Sequence, residues 1–250
     1  MRKIGLLILL SCLVVKMGAQ IVNVEDRRAV DIDTSGWFGN IDMGFNLVKN
    51  TSEIFNISGQ SQIEYIKNRH YVLNVTNYAL VKAEGTEFIN DGFTHLRYNY
   101  FISKKWTYEA FGQIQYNEKI NLRLRGLTGT GMRYLLLEKN KKRFYLGLAY
   151  MFEYNQEKEP LRIFRDSRMT TYLSGSIPIT KFITLSGTTY YQPVLFGFKV
   201  WRLSSQNNLV ISITNKLKFV TSFRIVYDTR AAEGIPNTIY NFNNRLRFTF

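Results

Sequence analysis

Tyr-Asn-Phe-Asn-Asn-Arg-Leu-Arg-Phe-Thr-Phe, residues Tyr240–Phe250, is the stretch that decides the fold of this chain. One parity carries the apolar side chains of Tyr240, Phe242, Leu246, Phe248 and Phe250. The other parity carries the polar side chains of Asn241, Asn243, Arg245, Arg247 and Thr249. A period of two over this length predicts a β-strand with one apolar and one polar face. In a soluble protein, an exposed terminal strand of this kind would promote aggregation. In an outer-membrane barrel, it would be the closing strand of the wall, with its aromatic rings toward lipid.

The same alternation recurs in eleven earlier segments. They are Trp37–Leu47, Phe55–Tyr65, Tyr71–Lys82, Phe93–Ile102, Trp106–Tyr116, Thr128–Leu136, Phe144–Tyr154, Arg168–Ile177, Phe182–Tyr191, Leu203–Ile213 and Leu217–Asp228. The pattern does not assign the faces of Tyr71–Lys82. Because bacterial single-chain barrels have an even number of strands, we predict an all-β fold: a transmembrane antiparallel β-barrel of about 12 strands.

The connections between these segments alternate between short and long. Short ones are expected at Lys67–His70, Ser103–Lys105, Glu138–Arg143, Pro178–Lys181 and Thr214–Lys216. Long ones are expected at Lys82–Gly92, Asn117–Gly126, Asn155–Asp166, Val194–Arg202 and Thr229–Thr238, and only Lys49–Ser52 is short where a long one is due. Outer-membrane barrels have short turns on the periplasmic side and longer loops on the extracellular side. The alternation therefore predicts that the short connections face the periplasm and the long ones face the outside.

The N-terminus has the pattern of an export signal. Arg2 and Lys3 precede an apolar run from Ile4 to Val15, and small residues follow at 18–19. We therefore predict a signal peptide over residues 1–19, a periplasmic lead-in over 20–35 and an outer-membrane barrel over 36–250. Leu9-Leu10-Ser11-Cys12 loosely resembles a lipidation motif, but the apolar run continues past Cys12, the only cysteine, so cleavage near Ala19 is preferred.

Composition excludes several other classes. The chain is 15% aromatic, yet its mean hydropathy is −0.17, which is low for a helical membrane protein that needs runs of roughly 18 apolar residues. The formal net charge of +14 could indicate nucleic acid as a partner, but the basic residues are scattered through loops and turns rather than gathered in one stripe. We expect no nucleic acid partner.

A family resemblance rests on the first predicted strand and the last. The run Thr34-Ser35-Gly36-Trp37-Phe38-Gly39-Asn40 leading into Gly44-Phe45-Asn46-Leu47, together with the polar-aromatic hairpins and terminal Phe250, resembles the YdiY-like family of salt-induced outer-membrane proteins. The resemblance implies an outer-membrane barrel domain of unknown function over about Gly36–Phe250. It brings no functional residues with it.

Catalysis is not expected from this sequence. Barrel hydrolases use a Ser–His pair with an orienting partner, and only His70 and His95 are available. His70 falls in a predicted periplasmic turn, His95 falls on a polar face, and neither has a serine at the required spacing. We find no metal-ligand spacing, no phosphate-binding glycine loop and no cofactor motif. Gly129 and Gly131 are interpreted as strand positions that relieve crowding inside the barrel.

The polar parity of the strands predicts a charged lumen. The residues placed inside are Arg97, Arg133, Arg168, Arg224, Arg245 and Arg247, with Asp42, Glu64, Glu109, Glu153 and Asp228. One interpretation is a set of ion pairs that brace the wall, and the other is an arginine excess that favours anions in a small porin-like pore. Barrel closure is expected to bring Arg245 and Arg247 toward Asp42.

Two further partners follow from the predicted topology. Basic residues of the outer loops are candidates for contacts with lipopolysaccharide phosphates: Lys119, Arg123, Arg125, Lys158, Arg162 and Arg165. The alternating aromatic C-terminus, Tyr240, Phe242, Leu246, Phe248 and Phe250, resembles the signal that the barrel-assembly machinery recognises. Two functions stay open at this point, a small pore and a plugged structural or interaction barrel.

Changing Phe250 to Asp should impair assembly, because it places a charge on the lipid face of the recognition strand. The expected result is less membrane-inserted protein whose gel mobility changes on heating. Normal yield and a normal heat-dependent gel shift for Phe250→Asp would contradict the assignment.

Overall fold

The structure, a computed structural model, describes residues 35–49, 53–83 and 86–249. Within these residues twelve strands form one sheet. They are β1 (Gly36–Lys49), β2 (Glu53–Lys67), β3 (His70–Ala83), β4 (Thr86–Phe101), β5 (Trp106–Asn117), β6 (Leu122–Lys139), β7 (Lys142–Glu157), β8 (Ile163–Pro178), β9 (Ile183–Pro193), β10 (Trp201–Ser212), β11 (Leu217–Asp228) and β12 (Thr238–Thr249). A single turn of 3-10 helix, Glu118–Ile120, follows β5.

The sheet closes into an antiparallel barrel in which each strand pairs with its neighbours in sequence and β12 pairs with β1. This confirms the predicted twelve-stranded architecture. We call the end where β1 begins and β12 ends the terminal end, and the opposite end the loop end. The predicted signal peptide, nearly all of the lead-in and Phe250 lie outside the described residues. No described helix has the length and apolar character needed to cross a membrane.

The strands run further toward the loop end than the sequence pattern predicted. Lys82–Gly92 was expected to be a long loop, but Lys82 pairs with Glu87, and only residues 84–85 separate β3 from β4. A register shift between Val81 and Lys82 interrupts the alternation there, which is why the pattern seemed to end early. The later outer connections, 118–121, 158–162, 194–200 and 229–237, are likewise shorter than predicted.

The outer face of the barrel is apolar and bordered by aromatic pairs. Met43 is 86% exposed, and Leu148 and Leu173 are also exposed in the middle of their strands. Trp37 packs on Tyr65 near the terminal end, with ring centroids 4.7 Å apart. Trp201 packs on Tyr227 at the loop end, 4.9 Å apart. An apolar band between two aromatic girdles is the surface that a bilayer requires.

Polar side chains also occur at mid-strand on this outer face, where they bond to one another across strands. The hydroxyl groups of Thr76 and Thr94 lie 3.0 Å apart, and those of Thr189 and Ser205 lie 2.9 Å apart. Thr221 donates to Asn244 at 2.8 Å. Because lipid offers no hydrogen-bond partners, this mutual pairing lowers the cost of placing the groups outside.

The inner face is not uniformly polar, because an apolar cluster fills part of it near the terminal end. We call this cluster the apolar plug: Ile66, Tyr71, Leu73, Val75 and Phe93. Phe38 and Phe101 pack against it. Three plug residues lie on β3, whose outer face carries Asn74 and Thr76, so this strand reverses the usual pattern. That reversal explains why its faces could not be assigned from sequence.

Candidate functional site

The candidate site is the lumen, where the structure places the predicted inward-facing charges. The side chains of Asp42, Glu64, Arg97, Glu109, Arg133, Glu153, Arg168 and Arg247 are buried there. Arg224, Asp228 and Arg245 share the inner parity of their strands and are partly buried. The charges are gathered into clusters at different heights along the barrel.

The first cluster, the loop-end cluster, surrounds the carboxylate of Glu153, which is 0% exposed. Arg125 on β6 and Arg168 on β8 flank it, with Nε atoms 3.2 and 3.1 Å from its oxygens. Arg202, on β10, donates to both oxygens of Glu153 at 3.1 and 3.2 Å. Since β10 is three strands away from β7, the Arg202 side chain ties separate parts of the wall together.

Two aspartates extend the loop-end cluster toward the barrel mouth. Nε of Arg202 donates to Asp228 at 2.8 Å, and Nη2 of Arg168 donates to Asp166 at 2.9 Å. Arg230, in the connection between β11 and β12, forms an ion pair with Asp166 and lies over the ring of Phe164. Each described arginine of this cluster is therefore matched by at least one carboxylate, which favours the bracing interpretation for this part of the lumen.

The second cluster, the terminal-end cluster, surrounds Glu109. Nη1 atoms of Arg97 and Arg133 lie 3.6 and 3.8 Å from its oxygens, and the Tyr172 hydroxyl donates to it from β8, three strands away. Gly147 makes this reach possible, because a Cβ at Gly147 would collide with the Tyr172 ring. Here the absence of a side chain lets the tyrosine lie flat against the wall and point across the lumen.

Gly129 and Gly131 have a similar role on β6. A Cβ on Gly129 would lie 2.5 Å from the Phe111 ring, and one on Gly131 would lie 2.5 Å from the Ala149 Cβ. Both positions lie on the inner parity of β6, and neighbouring atoms occupy the space that a side chain would need.

A third group of charges lies where the barrel closes. Nε of Arg245 is 3.1 Å from Asp42, and Nε of Arg247 is 3.9 Å from the same carboxylate. The structure thus brings together the three residues that closure was expected to bring together. Glu64, on β2, accepts a hydrogen bond from Tyr71 at 2.9 Å and so joins the polar lumen to the apolar plug.

Between the first two clusters lies a partly open cavity of about 70 Å³. Its wall includes Arg97 of the terminal-end cluster, and Arg125 and Arg202 of the loop-end cluster. A second cavity of about 40 Å³ lies nearer the loop end and shares Arg125 and Val226 with the first.

The structure separates the six predicted lipopolysaccharide contacts into two groups. The prediction for Arg125 is wrong in location: β6 begins at Leu122, and the Arg125 side chain is buried in the lumen against Glu153. The other five lie at the loop end: Lys119, Arg123, Lys158, Arg162 and Arg165. Arg162 pairs with Glu157 and Glu233 at 3.0 and 2.9 Å, and Lys158 pairs with Glu118 at 3.5 Å.

The described part of the C-terminal aromatic series points outward. Tyr240, Phe242, Leu246 and Phe248 are between 42% and 64% exposed, on the lipid face of β12.

The two histidines occupy different settings. His95 is buried in the lumen, where Nδ1 lies 3.0 Å from the Gln113 side-chain oxygen and the ring stacks on Phe111. His70 lies exposed at the terminal end, with Nδ1 2.8 Å from the Tyr98 hydroxyl. Among the residues that the structure describes, no group of three or more metal-ligating side chains converges.

Sequence reasoning missed several lumen charges. The side chains of Asp91, Arg125, Asp166 and Arg202 are all buried inside the barrel. The sequence pattern places all four in predicted long connections or at their edges instead. A signal was present, since Arg202 shares the parity of Ser204 and Gln206, and Asp166 that of Arg168. Extending each alternation by one or two steps would have found them.

Comparison with known proteins gives a family. The sequence profile described as "Protein of unknown function, DUF481" matches residues 41–250. A comparison with curated proteins finds no match.

Among solved structures, the NanC porin is similar at 9% identity and a TM-score of 0.49, covering 86% of this chain and 98% of that one. The KdgM porin is similar at 8% identity and a TM-score of 0.47, with 86% and 99% covered. The translocator domain of the autotransporter NalP from Neisseria meningitidis is similar at 10% identity and a TM-score of 0.43, with 88% and 90% covered. Similarity at this level concerns the barrel fold alone.

Changing Glu153 to Gln should destabilise the barrel by about 3–5 kcal/mol, because it leaves the positive charges of the loop-end cluster without their central carboxylate. The measurement is urea-induced unfolding of purified protein in lipid vesicles. Glu138→Gln is the matched control, since the exposed Glu138–Arg143 pair should contribute only about 0–1 kcal/mol. Equal effects of the two substitutions would contradict a supporting role for the loop-end cluster.

Proposed function

The chain belongs to the family described as protein of unknown function DUF481, and from its geometry we propose that it is an outer-membrane barrel whose lumen is closed by its own side chains. In this proposal the lumen braces the wall, and the loop end is the surface that interacts with the envelope. The observation that carries the proposal is the burial of the charged lumen residues.

Water fills an open pore and wets the charged side chains that line it. Here Arg133 and Arg168 are each 1% exposed, and Glu153 is 0% exposed. Arg133 lies near Glu109 and over the Tyr145 ring, and Arg168 lies near Glu153 and Asp166. Arg202 and Tyr172 each reach a carboxylate three strands away, so side chains cross part of the lumen at two places.

The apolar plug supports closure at the terminal end. Leu73 is 0% exposed and Val75 is 2% exposed, although both point into the barrel. Apolar constrictions exclude water and ions even where some space remains. The apolar plug interrupts the polar lining along β3, between the inner faces of β2 and β4 that carry Glu64 and Arg97.

We further propose that the terminal end faces the periplasm and the loop end faces the cell surface. The apolar outer band and its aromatic pairs support membrane insertion. The connections of two to four residues at the terminal end have the usual length of periplasmic turns. Export through a cleaved signal over residues 1–19 is part of the same proposal and rests on the sequence pattern.

A non-enzymatic role also belongs to this proposal. His95 is buried between Gln113 and Phe111, so it is poorly placed to act on a lipid or a peptide outside the barrel. Assignment to the YdiY-like salt-induced proteins rests on the resemblance of the Thr34–Leu47 stretch, and recognition by the barrel-assembly machinery rests on the C-terminal aromatic series.

A closed lumen should be silent in planar lipid bilayers. Purified protein that shows the heat-dependent gel shift of a folded barrel is expected to give no steady openings. Arg97→Ser/Arg133→Ser, which shortens two side chains of the terminal-end cluster, should stay silent as well, because the loop-end cluster and the apolar plug remain in place. Steady openings of the unmodified protein would contradict closure.

A variant of the two arginines near the closure, Arg245 and Arg247, distinguishes the closed barrel from the small pore, the two functions that the sequence left open. In a closed barrel Arg245→Gln/Arg247→Gln should lower stability, because the buried Asp42 carboxylate loses its contacts with two cationic groups, with no conductance before or after. Anion preference in a salt gradient that disappears in this variant would instead support the pore.

A second candidate function is binding of lipopolysaccharide at the loop end. Arg123, Lys158 and Glu118 line a surface groove of about 310 Å³ together with Tyr116 and Leu122. Two cations beside apolar side chains suit a phosphate group attached to a lipid. The opposing interpretation is a solvated charged rim, and the Lys158–Glu118 pair at 3.5 Å favours it in part.

Neutralising the groove should reduce lipopolysaccharide that co-purifies with the barrel. Arg123→Gln/Lys158→Gln removes both cations, and Lys104→Gln/Lys141→Gln makes the same charge change in turns at the terminal end. The expected result is a loss of bound lipid in the first variant alone. Unchanged retention, or equal loss in both variants, would favour the solvated rim.

A further inference from the structure

We propose that the cavity of about 70 Å³ between the two clusters is a binding site for one compact oxyanion, a carboxylate or a phosphate. This site goes beyond bracing, and it rests on the closed lumen of the proposed function. Its test measures binding and not conductance, so the two proposals can fail separately.

The first argument is the charge of the cavity wall. Arg97 contributes from one side, and Arg125 and Arg202 contribute from the other. Among the described residues that line the cavity, none is a carboxylate. Glu109 and Glu153 lie behind the guanidinium groups that they hold in place. The wall therefore presents cationic groups, while the acids that fix their positions lie outside it.

The second argument is hydrogen-bonding capacity. Side-chain amides and hydroxyls complete the polar part of the wall: Gln113, Gln115, Gln192, Thr170 and Ser204. A guanidinium group offers a planar pair of donors that matches the two oxygens of a carboxylate or phosphate. A monatomic anion uses that geometry less well, so the fork of donors favours an oxyanion.

The third argument is size and access. The cavity, of about 70 Å³, has room for a few water molecules or for one compact anion. The apolar plug fills the part of the terminal end next to β2, β3 and β4. The smaller cavity that shares Arg125 and Val226 reaches the 229–237 connection, so a solute would enter from the loop end past Arg125.

The arginines allow a matched set of variants. Arg97 and Arg133 both pair with Glu109, but only Arg97 lines the cavity. Arg97→Gln and Arg133→Gln therefore weaken the same cluster, and only the first removes a donor from the site. Arg125→Gln tests the opposite wall, and Glu153 then keeps Arg168 and Arg202 as partners.

The experiment is equilibrium dialysis of the folded, detergent-solubilised barrel against labelled inorganic phosphate and labelled acetate at constant ionic strength. We expect saturable binding of one anion per chain. Binding should weaken by roughly tenfold or more in Arg97→Gln and in Arg125→Gln, and should be unchanged in Arg133→Gln. If Arg97→Gln does not fold, Arg97→Lys keeps the charge but loses the fork and should also bind more weakly.

The outcomes separate the possible ligands. Binding of phosphate alone indicates a phosphate site, binding of acetate alone indicates a carboxylate site, and binding of both indicates a site for compact oxyanions in general. The proposal is overturned if neither binds saturably, or if chloride at the same concentration displaces them. It is also overturned if Arg133→Gln weakens binding as much as Arg97→Gln does.

Discussion

The contact between Glu153 and the guanidinium groups of Arg125, Arg168 and Arg202 is the constraint on which the rest of the lumen depends. A carboxylate with no exposure to water is stable only when its partners are fixed in place. Two of those partners come from adjacent strands, and the third comes from β10. Because the third must span part of the lumen, the wall on that side cannot move outward without leaving a buried charge unmatched.

The same requirement determines which small and apolar residues the lumen contains. Tyr172 can reach Glu109 only because Gly147 leaves its ring room against the wall. Where no charge spans the lumen, as along β3, the apolar plug fills the space with Leu73 and Val75. Twelve strands enclose a volume that must be filled. Ion pairs fill it on one side of the lumen, and aliphatic side chains fill it on the other.

Period-two alternation predicted the barrel and the face of most side chains, because the face of a strand depends only on parity. It did not predict which charges meet. Glu109 and Tyr172 are 63 residues apart, and their contact depends on the stagger and the curvature of the wall. Alternation also failed where both faces are mixed: on β3 the inner face has Leu73 and the outer face has Asn74. A barrel tolerates this reversal because Thr94 provides a partner for Asn74 outside.

Closure itself depends on a lumen charge. Among the described residues, β1 and β12 are in register only at Asn40 with Thr249 and Ile41 with Phe248, whereas the other neighbouring strands register at eight positions or more. So few backbone pairs contribute little cohesion, and Asp42 follows directly after them with Arg245 at 3.1 Å. The Asp42 carboxylate is buried and Arg245 is partly buried, so water and salt screen their attraction less than that of a fully exposed pair. At the closure, side-chain electrostatics thus supplies cohesion that backbone hydrogen bonds supply elsewhere in the wall, which explains why a strand with an apolar outer face carries two arginines on its inner face.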